Sequence, residues 1–414
     1  MTELKSPLAM DQHDERVMSS VGFKGAATST LNRIRSGDVG SLPILLGLVV
    51  VWIVFQALNP FFLSSANLTN LLLECAAVGT ISIGIVLVLL VAQIDLSVGS
   101  MSGLSSAILG VGLTQHGWSV WVAMAVAIAA GAVVGALYGA IFVKFSVPSF
   151  VITLAGLLAL LGIQLRILGR NGSINIPFDT WIVRFNQSMF LPHTASYVLT
   201  ALGVFAWVAS RYARTRRRRN AGLSTGSMTG TLILAVIFLV VGEYVVSFLN
   251  QTRGIGASFV LFLGLVVVLD FALRRTRWGR AIYAVGGSVE AARRAGLRVR
   301  LVYMSVFVLC STLAAVGGLL AAGRLATASI SSGTGDTNLN AIAAAVIGGT
   351  SLFGGRGSIY SALLGILTIS SISSGLTLLS LDSSIRFVIT GGVLLLAVIV
   401  DSVSRKSREA HGRA

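Results

Sequence analysis

Long apolar runs separated by short polar stretches begin at Leu42 and continue to the neighbourhood of residue 401. A helical crossing of the hydrocarbon layer takes about 20 apolar residues. By that measure the chain predicts about twelve segments, near 42–58, 70–92, 96–114, 118–143, 149–168, 196–210, 229–249, 256–273, 301–322, 338–353, 358–379 and 385–401. The fold class expected is all-α, a polytopic helical membrane protein with at least one short or broken helix. A spanning domain over 42–403 is then flanked by polar tails, 1–41 and 404–414. The first tail clusters Asp11, Asp14, Glu15 and Arg16 and has no apolar core of the kind a secretory signal needs.

Composition agrees with this and excludes a water-soluble domain: 55% of residues are hydrophobic and 11% charged, with 46 glycines. The net charge of +16 would suit nucleic acid if the basic residues were spread over one surface, so their location decides. With the N-terminus inside, alternation places Lys144, the Arg211–Arg219 cluster in a basic loop over 211–228, the stretch 274–300, Arg356 and the tail from Arg405 in the cytoplasm. Of the 31 lysines and arginines only Arg166, Arg170, Arg184, Arg253, Arg324 and Arg386 fall elsewhere. Positive residues resist translocation in short loops, so the asymmetry supports cytoplasmic termini and removes nucleic acid as a partner. The run Arg214–Arg219 reads as a stop-transfer anchor beside anionic lipid. Cys75 and Cys310 each sit in an apolar run and read as small buried hydrophobes.

Two segments are awkward for simple spans. Residues 338–353, NLNAIAAAVIGGTSLF, are short, rich in small residues and followed by Gly354, Gly355 and Gly357. The basic tail lands inside only if this segment crosses, so a thin or broken crossing helix is expected. Small residues for tight helix packing account for the same composition. Residues 93–100, QIDLSVGS, join two segments; Asp95 can cap the new helix, or Gln93, Asp95 and Ser97 can line a polar path. Asp270 has Arg274 four residues on, an easy helix pair, whereas Glu74 and Glu243 have no partner visible in the sequence.

Enzyme chemistry finds no foothold. None of the four lysines follows a glycine, so there is no phosphate-binding loop, and His13, His116, His193 and His411 show no metal spacing. No cofactor or metal is expected in this chain.

The stretch 274–300 is a polar island with eight arginines and one acid, Glu290. Ser288 stands where an N-cap hydroxyl belongs, Glu290 in the first turn, Arg293 and Arg294 in the last, and Gly296 where a left-handed residue ends a helix. A short capped helix held in a loop, with an acid offered to solvent, can dock a partner. A solvated basic linker that fixes orientation is the plainer alternative.

Four stretches in order, QIDLSVGS at 93–100, VPSFVITLAG at 147–156, GRAIYAVGGSVEAARRAGLRV at 279–299 and LNAIAAAVIGGTSLFGGRGS at 339–358, resemble the ribose and xylose class of bacterial ABC sugar importer permeases. The similarity runs from about Leu42 to Arg405, and the extra pair of spans around Arg214–Arg219 looks like the xylose type. Asn340 departs from the acid expected there in that type, and Arg294 and Ala295 replace a small polar stretch. The resemblance implies a homodimer in the inner membrane, a cytoplasmic ATPase subunit that binds the ATP, and a periplasmic sugar-binding protein. It makes Ser288, Glu290, Ala291, Ala292 and Gly296 the contact with the ATPase. A neutral sugar needs groups that hold it weakly, and Asn70, Gln93, Asp95, Ser97, Asn338, Asn340, Thr350 and Ser351 are the candidates for the path. A proton-coupled secondary transporter using Glu74, Asp95 or Glu243, or a membrane scaffold with basic docking loops, are the rival readings.

Overall fold

The computed structural model of the chain describes residues 42–223, 228–382 and scattered positions between 384 and 399. The tails expected at 1–41 and 404–414, most of the segment predicted at 385–401 and residues 224–227 lie outside the described residues. The apolar runs form helices because their interiors are mostly alanine, leucine, valine and isoleucine, and polar residues mark the ends. In order come α1 (Leu42–Leu58), α2 (Ser65–Leu90), α3 (Val98–Thr114), α4 (Val120–Phe145) and α5 (Ser149–Leu168). Strand β1 (Ser173–Asn175), α6 (Trp181–Gln187), α7 (His193–Asn220) and α8 (Met228–Leu249) follow, then α9 (Ala257–Arg275), α10 (Arg277–Gly287), α11 (Val289–Arg294) and α12 (Val299–Leu325). Strand β2 (Thr327–Ser329), α13 (Asp336–Ile347) and α14 (Tyr360–Leu378) complete the order. Serine caps open two of the longest: Ser64 Oγ accepts from Asn67 N at 3.3 Å and Ser119 Oγ from Val122 N at 3.4 Å.

Among the described residues seven helices are long and apolar enough to cross a membrane. The chain divides into two compact units. The smaller includes residues 191–254, hence α7 and α8, and the larger residues 41–190 and 255–402. In the smaller unit α7 continues unbroken through the arginines to Asn220, so the basic loop expected over 211–228 is corrected: its first ten residues are helix. Arginine is a good helix former, and cations at a helix C-terminus complement its dipole. Asn250 Nδ2 donates to Ser196 Oγ at 3.2 Å between α7 and α8.

The larger unit is organised around α2 and α12, the most buried of its long apolar helices among the described residues. Their packing depends on small residues that let main chains approach. On α4, Gly131 and Gly135 press on the Ser311 and Phe307 carbonyls of α12, and Gly139 on Met304. On α12, a Cβ at Gly318 would overlap the Ser102 carbonyl of α3, while Ser105 and Ser106 donate across the same crossing to Ala315 O at 2.6 Å and Gly318 O at 2.9 Å.

The all-α expectation is corrected, and the short or broken helix expected at 338–353 is found. Strands β1 and β2 pair antiparallel, Ser173 opposite Ser329, so the fold is helical apart from one short ribbon. The segment expected at 338–353 holds the short helix α13, whose 12 residues reach about 18 Å, against a hydrocarbon layer of about 30 Å. After α12 the chain instead turns back beside α3 in irregular form. A Cβ on Gly99 would overlap the Gly333 carbonyl, and one on Gly103 the Ser332 carbonyl. Gly333 and Gly335 both have positive φ there, which stops a helix from starting before Asp336.

Gly318→Ala is expected to destabilise the protein by roughly 1–3 kcal/mol, because the α12 and α3 main chains would have to part. Gly264→Ala, on α9 with nothing within 4 Å of the new atom, is expected to be neutral or gain up to about 1 kcal/mol through helix propensity. Thermal unfolding of both variants in one detergent checks the contrast.

Candidate functional site

Helix α2 stops at Leu90 and α3 begins at Val98, and the intervening backbone is held by side chains from three directions. Ile94 N donates to Ser149 Oγ at 3.2 Å and Leu96 N to Thr153 Oγ1 at 3.1 Å, both acceptors one turn apart on α5. Ser97 N and Ser97 Oγ donate to Asp95 Oδ1 at 2.8 and 2.7 Å. Asn338 Nδ2, on the first turn of α13, donates to Leu96 O at 2.8 Å. Four of these five bonds satisfy a backbone group that has lost its helical partner at the break, and the fifth, from Ser97 Oγ, joins two side chains.

The expectation that Asp95 caps α3 is therefore corrected. Ser97 is the N-cap and makes no side-chain cap bond, while Asp95 closes a local turn onto Ser97. Asp95 and Ser97 are each 1% exposed, and Gln93 is half-buried. Gln93, Asp95, Ile342 and Leu352 line a small cavity of ≈ 190 Å³ against α2. Around the break, Asp95 Oδ2, Asn338 Oδ1 and Tyr138 Oη are buried and make no hydrogen bond, and so is Gln164 Oε1 further along α5. Asn340 is half-buried further along α13. Ser149 and Thr153 were not singled out from the sequence; their i,i+4 spacing on an apolar helix is the signal that points to them.

Three candidates lie away from this cluster. Asn70 is exposed near the start of α2, about 30 Å along the helix from Leu90. Thr350, buried, and Ser351, half-buried, sit beyond the far end of α13 in a glycine-rich loop. Ser351 N donates to Arg356 O at 3.0 Å and Ser351 Oγ accepts from Phe353 N at 3.2 Å, so Ser351 shapes the loop, while Thr350 N donates to Ala345 O at 3.1 Å and its Oγ1 is buried without a hydrogen bond.

That loop meets the second feature, the polar stretch 274–300. It is mostly helix and docked on the larger unit, which corrects the picture of one short helix in a loop. Thr276 Oγ1 caps α10 by accepting from Gly279 N at 3.1 Å, and Ile282 and Val285 are buried on one face. A Cβ on Gly286 would overlap the Leu90 carbonyl and lie 2.6 Å from Gly355 N, which itself donates to Leu90 O at 2.9 Å. Tyr283 Oη donates to Gly357 O at 2.9 Å, and Trp278 Nε1 to Ser305 Oγ at 2.8 Å. Burial pushes the Tyr283 hydroxyl up from its ordinary pKa, with the Arg274 guanidinium opposing.

Helix α11 has the expected ends. Ser288 Oγ accepts from Ala291 N at 3.3 Å, Glu290 lies in the first turn, and Arg293 and Arg294 in the last. Gly296 has φ +77 and donates to Arg293 O at 3.0 Å, while Leu297 N donates to Ala292 O at 3.1 Å. This pair of bonds is the Schellman closure that a glycine at this position permits. Ser288, Glu290, Ala291 and Gly296 are exposed, but Ala292 is 3% exposed and turned into its own chain, so it is removed from the surface a partner can reach. Glu290 is not spare: Arg293 Nη1 stands 3.3 Å from its Oε1, a pair open to solvent and weak on that account.

The remaining acids are accounted for in part. Arg274 Nε lies 2.9 Å from Asp270 Oδ2, as expected. Glu74, without a partner in sequence, meets Arg324 Nη1 of α12 at 3.4 Å. Glu243 Oε2, in the smaller unit, is buried without a hydrogen bond. Among the described residues no group of three His, Cys, Asp or Glu could hold a metal ion.

Comparison with known proteins places these features. The chain is 32% identical over 391 residues to the xylose transport system permease protein of Escherichia coli K12, covering 94% of this chain and 96% of the relative. It is 32% identical over 375 residues to the corresponding xylose protein of Haemophilus influenzae, covering 90% and 99%. The ribose import permease protein of Escherichia coli K12 is 32% identical over 360 residues, covering 86% and 92%. No solved structure matches the chain. Residues 67–398, from the first turn of α2 through the break, the α10–α11 stretch and α14, match the family described as branched-chain amino acid transport system / permease component, and the chain belongs to that family of transport permeases.

Proposed function

We propose that this chain is the membrane-spanning subunit of an ATP-driven importer that carries a monosaccharide, a pentose such as xylose, into the cytoplasm. It acts as a homodimer in the inner membrane, with twelve segments and both termini cytoplasmic. A separate cytoplasmic subunit binds and hydrolyses the ATP, and a periplasmic binding protein delivers the sugar. The names of the xylose and ribose relatives support the substrate class. The observation that carries the coupling is the contact of α10 with the inner ends of both interrupted elements, Leu90 of α2 and the Gly355 loop beyond α13.

The mechanism follows from that contact. An ATPase that closes on ATP moves the exposed face of α11, carrying Ser288, Glu290, Ala291 and Gly296. Helix α10 passes the movement to Leu90 and Gly355. Leu90 is followed directly by the break at 91–97, and α13 begins with Asn338 in its first turn on the other side of the same break. The permease supplies an element with two arrangements and no chemistry. Gln93, Asp95, Ser97, Asn338 and Asn340 are the polar groups at that hinge, suited to holding a hydroxylated solute weakly.

Uptake is expected to require ATP hydrolysis by the partner subunit and to persist when the proton gradient is collapsed at constant ATP. Counterflow-free uptake by the purified chain alone, driven by a pH gradient in liposomes, is the result that sinks this reading in favour of a proton-coupled carrier.

On this reading Ala291 lies in the cytoplasm and Ser173 in the periplasm. Single cysteines at these two exposed positions, with Cys75 and Cys310 replaced by alanine, are expected to react with an impermeant reagent in intact spheroplasts only at residue 173. Labelling at 291 from outside inverts the orientation.

Glu290→Arg and Gly296→Val are expected to weaken recruitment of the ATPase and its sugar-stimulated hydrolysis by about tenfold, the scale on which a central interface residue acts. The first puts positive charge at a helix N-terminus, which costs roughly 0.3–1 kcal/mol locally. The second forces a β-branched residue into a left-handed conformation, costing roughly 1–2 kcal/mol. Neither is large enough to unfold the protein. Normal pull-down and normal stimulation in monodisperse variants would make 274–300 an orienting linker only.

A further inference from the structure

Beside α11 lies a cleft of ≈ 920 Å³ that the coupling mechanism does not use. Its walls include Phe142 and Val143 from the end of α4 and Leu301 and Tyr303 from the start of α12; Arg298 and Arg300 also line it. Leu301 is 57% exposed, and Phe145 beside the cleft is 63% exposed, so the apolar wall continues onto exposed apolar surface. Arg298 and Arg300 are exposed and form no ion pair among the described residues. Arg293, a third lining residue, is engaged with Glu290, and Lys144 at the end of α4 adds another cation.

An apolar wall that opens into the bilayer and ends in cations at the cytoplasmic boundary is complementary to a molecule with long hydrocarbon and an anionic head. A free phosphate has no use for the wall, and a neutral lipid none for the arginines. We propose that this cleft binds one anionic phospholipid of the cytoplasmic leaflet, its phosphate between Arg298 and Arg300 and its acyl chains along Phe142, Val143, Leu301 and Tyr303. The bound lipid then sits against the root of α11 and steadies the helix that the ATPase engages. From the functional reading above the inference takes only the cytoplasmic placement of 274–300.

The test uses the full chain without its ATPase, in nanodiscs of phosphatidylcholine with a trace of spin-labelled lipid. Labelled phosphatidylglycerol is expected to associate more tightly than labelled phosphatidylcholine. Arg298→Gln with Arg300→Gln is expected to reduce that preference by about fivefold per arginine. Val143→Trp, which fills the cleft and leaves both charges, is expected to lose the immobilised lipid as well, and Val143→Phe serves where the indole does not fit. Equal association of the two lipids in the native chain overturns the site. Displacement by millimolar inorganic phosphate, or unchanged binding in both Val143 variants, makes it an anion site with no lipid role. A fall in oligomer mass for the double variant means that a second copy occupies the cleft. Because no ATPase is present, failure here leaves the coupling reading untouched, and selectivity here survives a failure of coupling.

Discussion

Backbone polar groups inside hydrocarbon must find partners within the protein, and the broken segment at 91–97 is where this chain meets that constraint most severely. Leaving a buried N–H or carbonyl unpaired costs several kcal/mol. Ser149, Thr153, Asp95 and Asn338 supply the missing partners, so α5, the break and α13 are bound into one arrangement. The same constraint accounts for the irregular passage before α13, which runs against glycines 99 and 103 of α3 where only a hydrogen side chain leaves room. Both irregular stretches of the larger unit are thus tied to neighbouring helices by hydrogen bonds or by close main-chain contact.

Much of this was legible in the sequence, and the rest fails for identifiable reasons. Helix positions followed from apolar length, since a run such as 120–145 has no other stable form in a bilayer. The ends of α11 were readable because Ser288, Glu290 and Gly296 act locally, within a few residues of their hydrogen-bond partners. Long-range partners were not readable. Nothing near Glu74 announces Arg324, and nothing near Leu96 announces Thr153 or Asn338. Hydropathy also misjudged two boundaries: it ended α7 at the arginines although they continue the helix, and it counted Gly348–Phe353 with α13 although glycines there end it. Asp95 was drawn to a cap by its type and position, but the turn onto Ser97 satisfied it first.

The path candidates divide by the same logic. Gln93, Asp95, Ser97 and Asn338 converge because the break needs polar partners, so their presence at the hinge has a structural cause as well as a functional use. Thr350 and Ser351 belong to the loop under α10, at the opposite end of a helix of 12 residues. Polar residues in this membrane domain therefore serve two joints, the break at 91–97 and the loop under α10, with α13 as the strut between them.

The lower joint has a mechanical property that follows from its composition. Gly286, Leu90 and Gly355 meet main chain to main chain, with no side chain between the first and the second. A side-chain contact yields by changing rotamer, but peptide planes in contact have no such compliance. A displacement imposed on α10 cannot be absorbed locally and must be carried onward by α2, so the joint has almost no backlash. Enlarging Gly286 would therefore not loosen the transmission; it would preload it, holding α2 displaced before any ATP is bound.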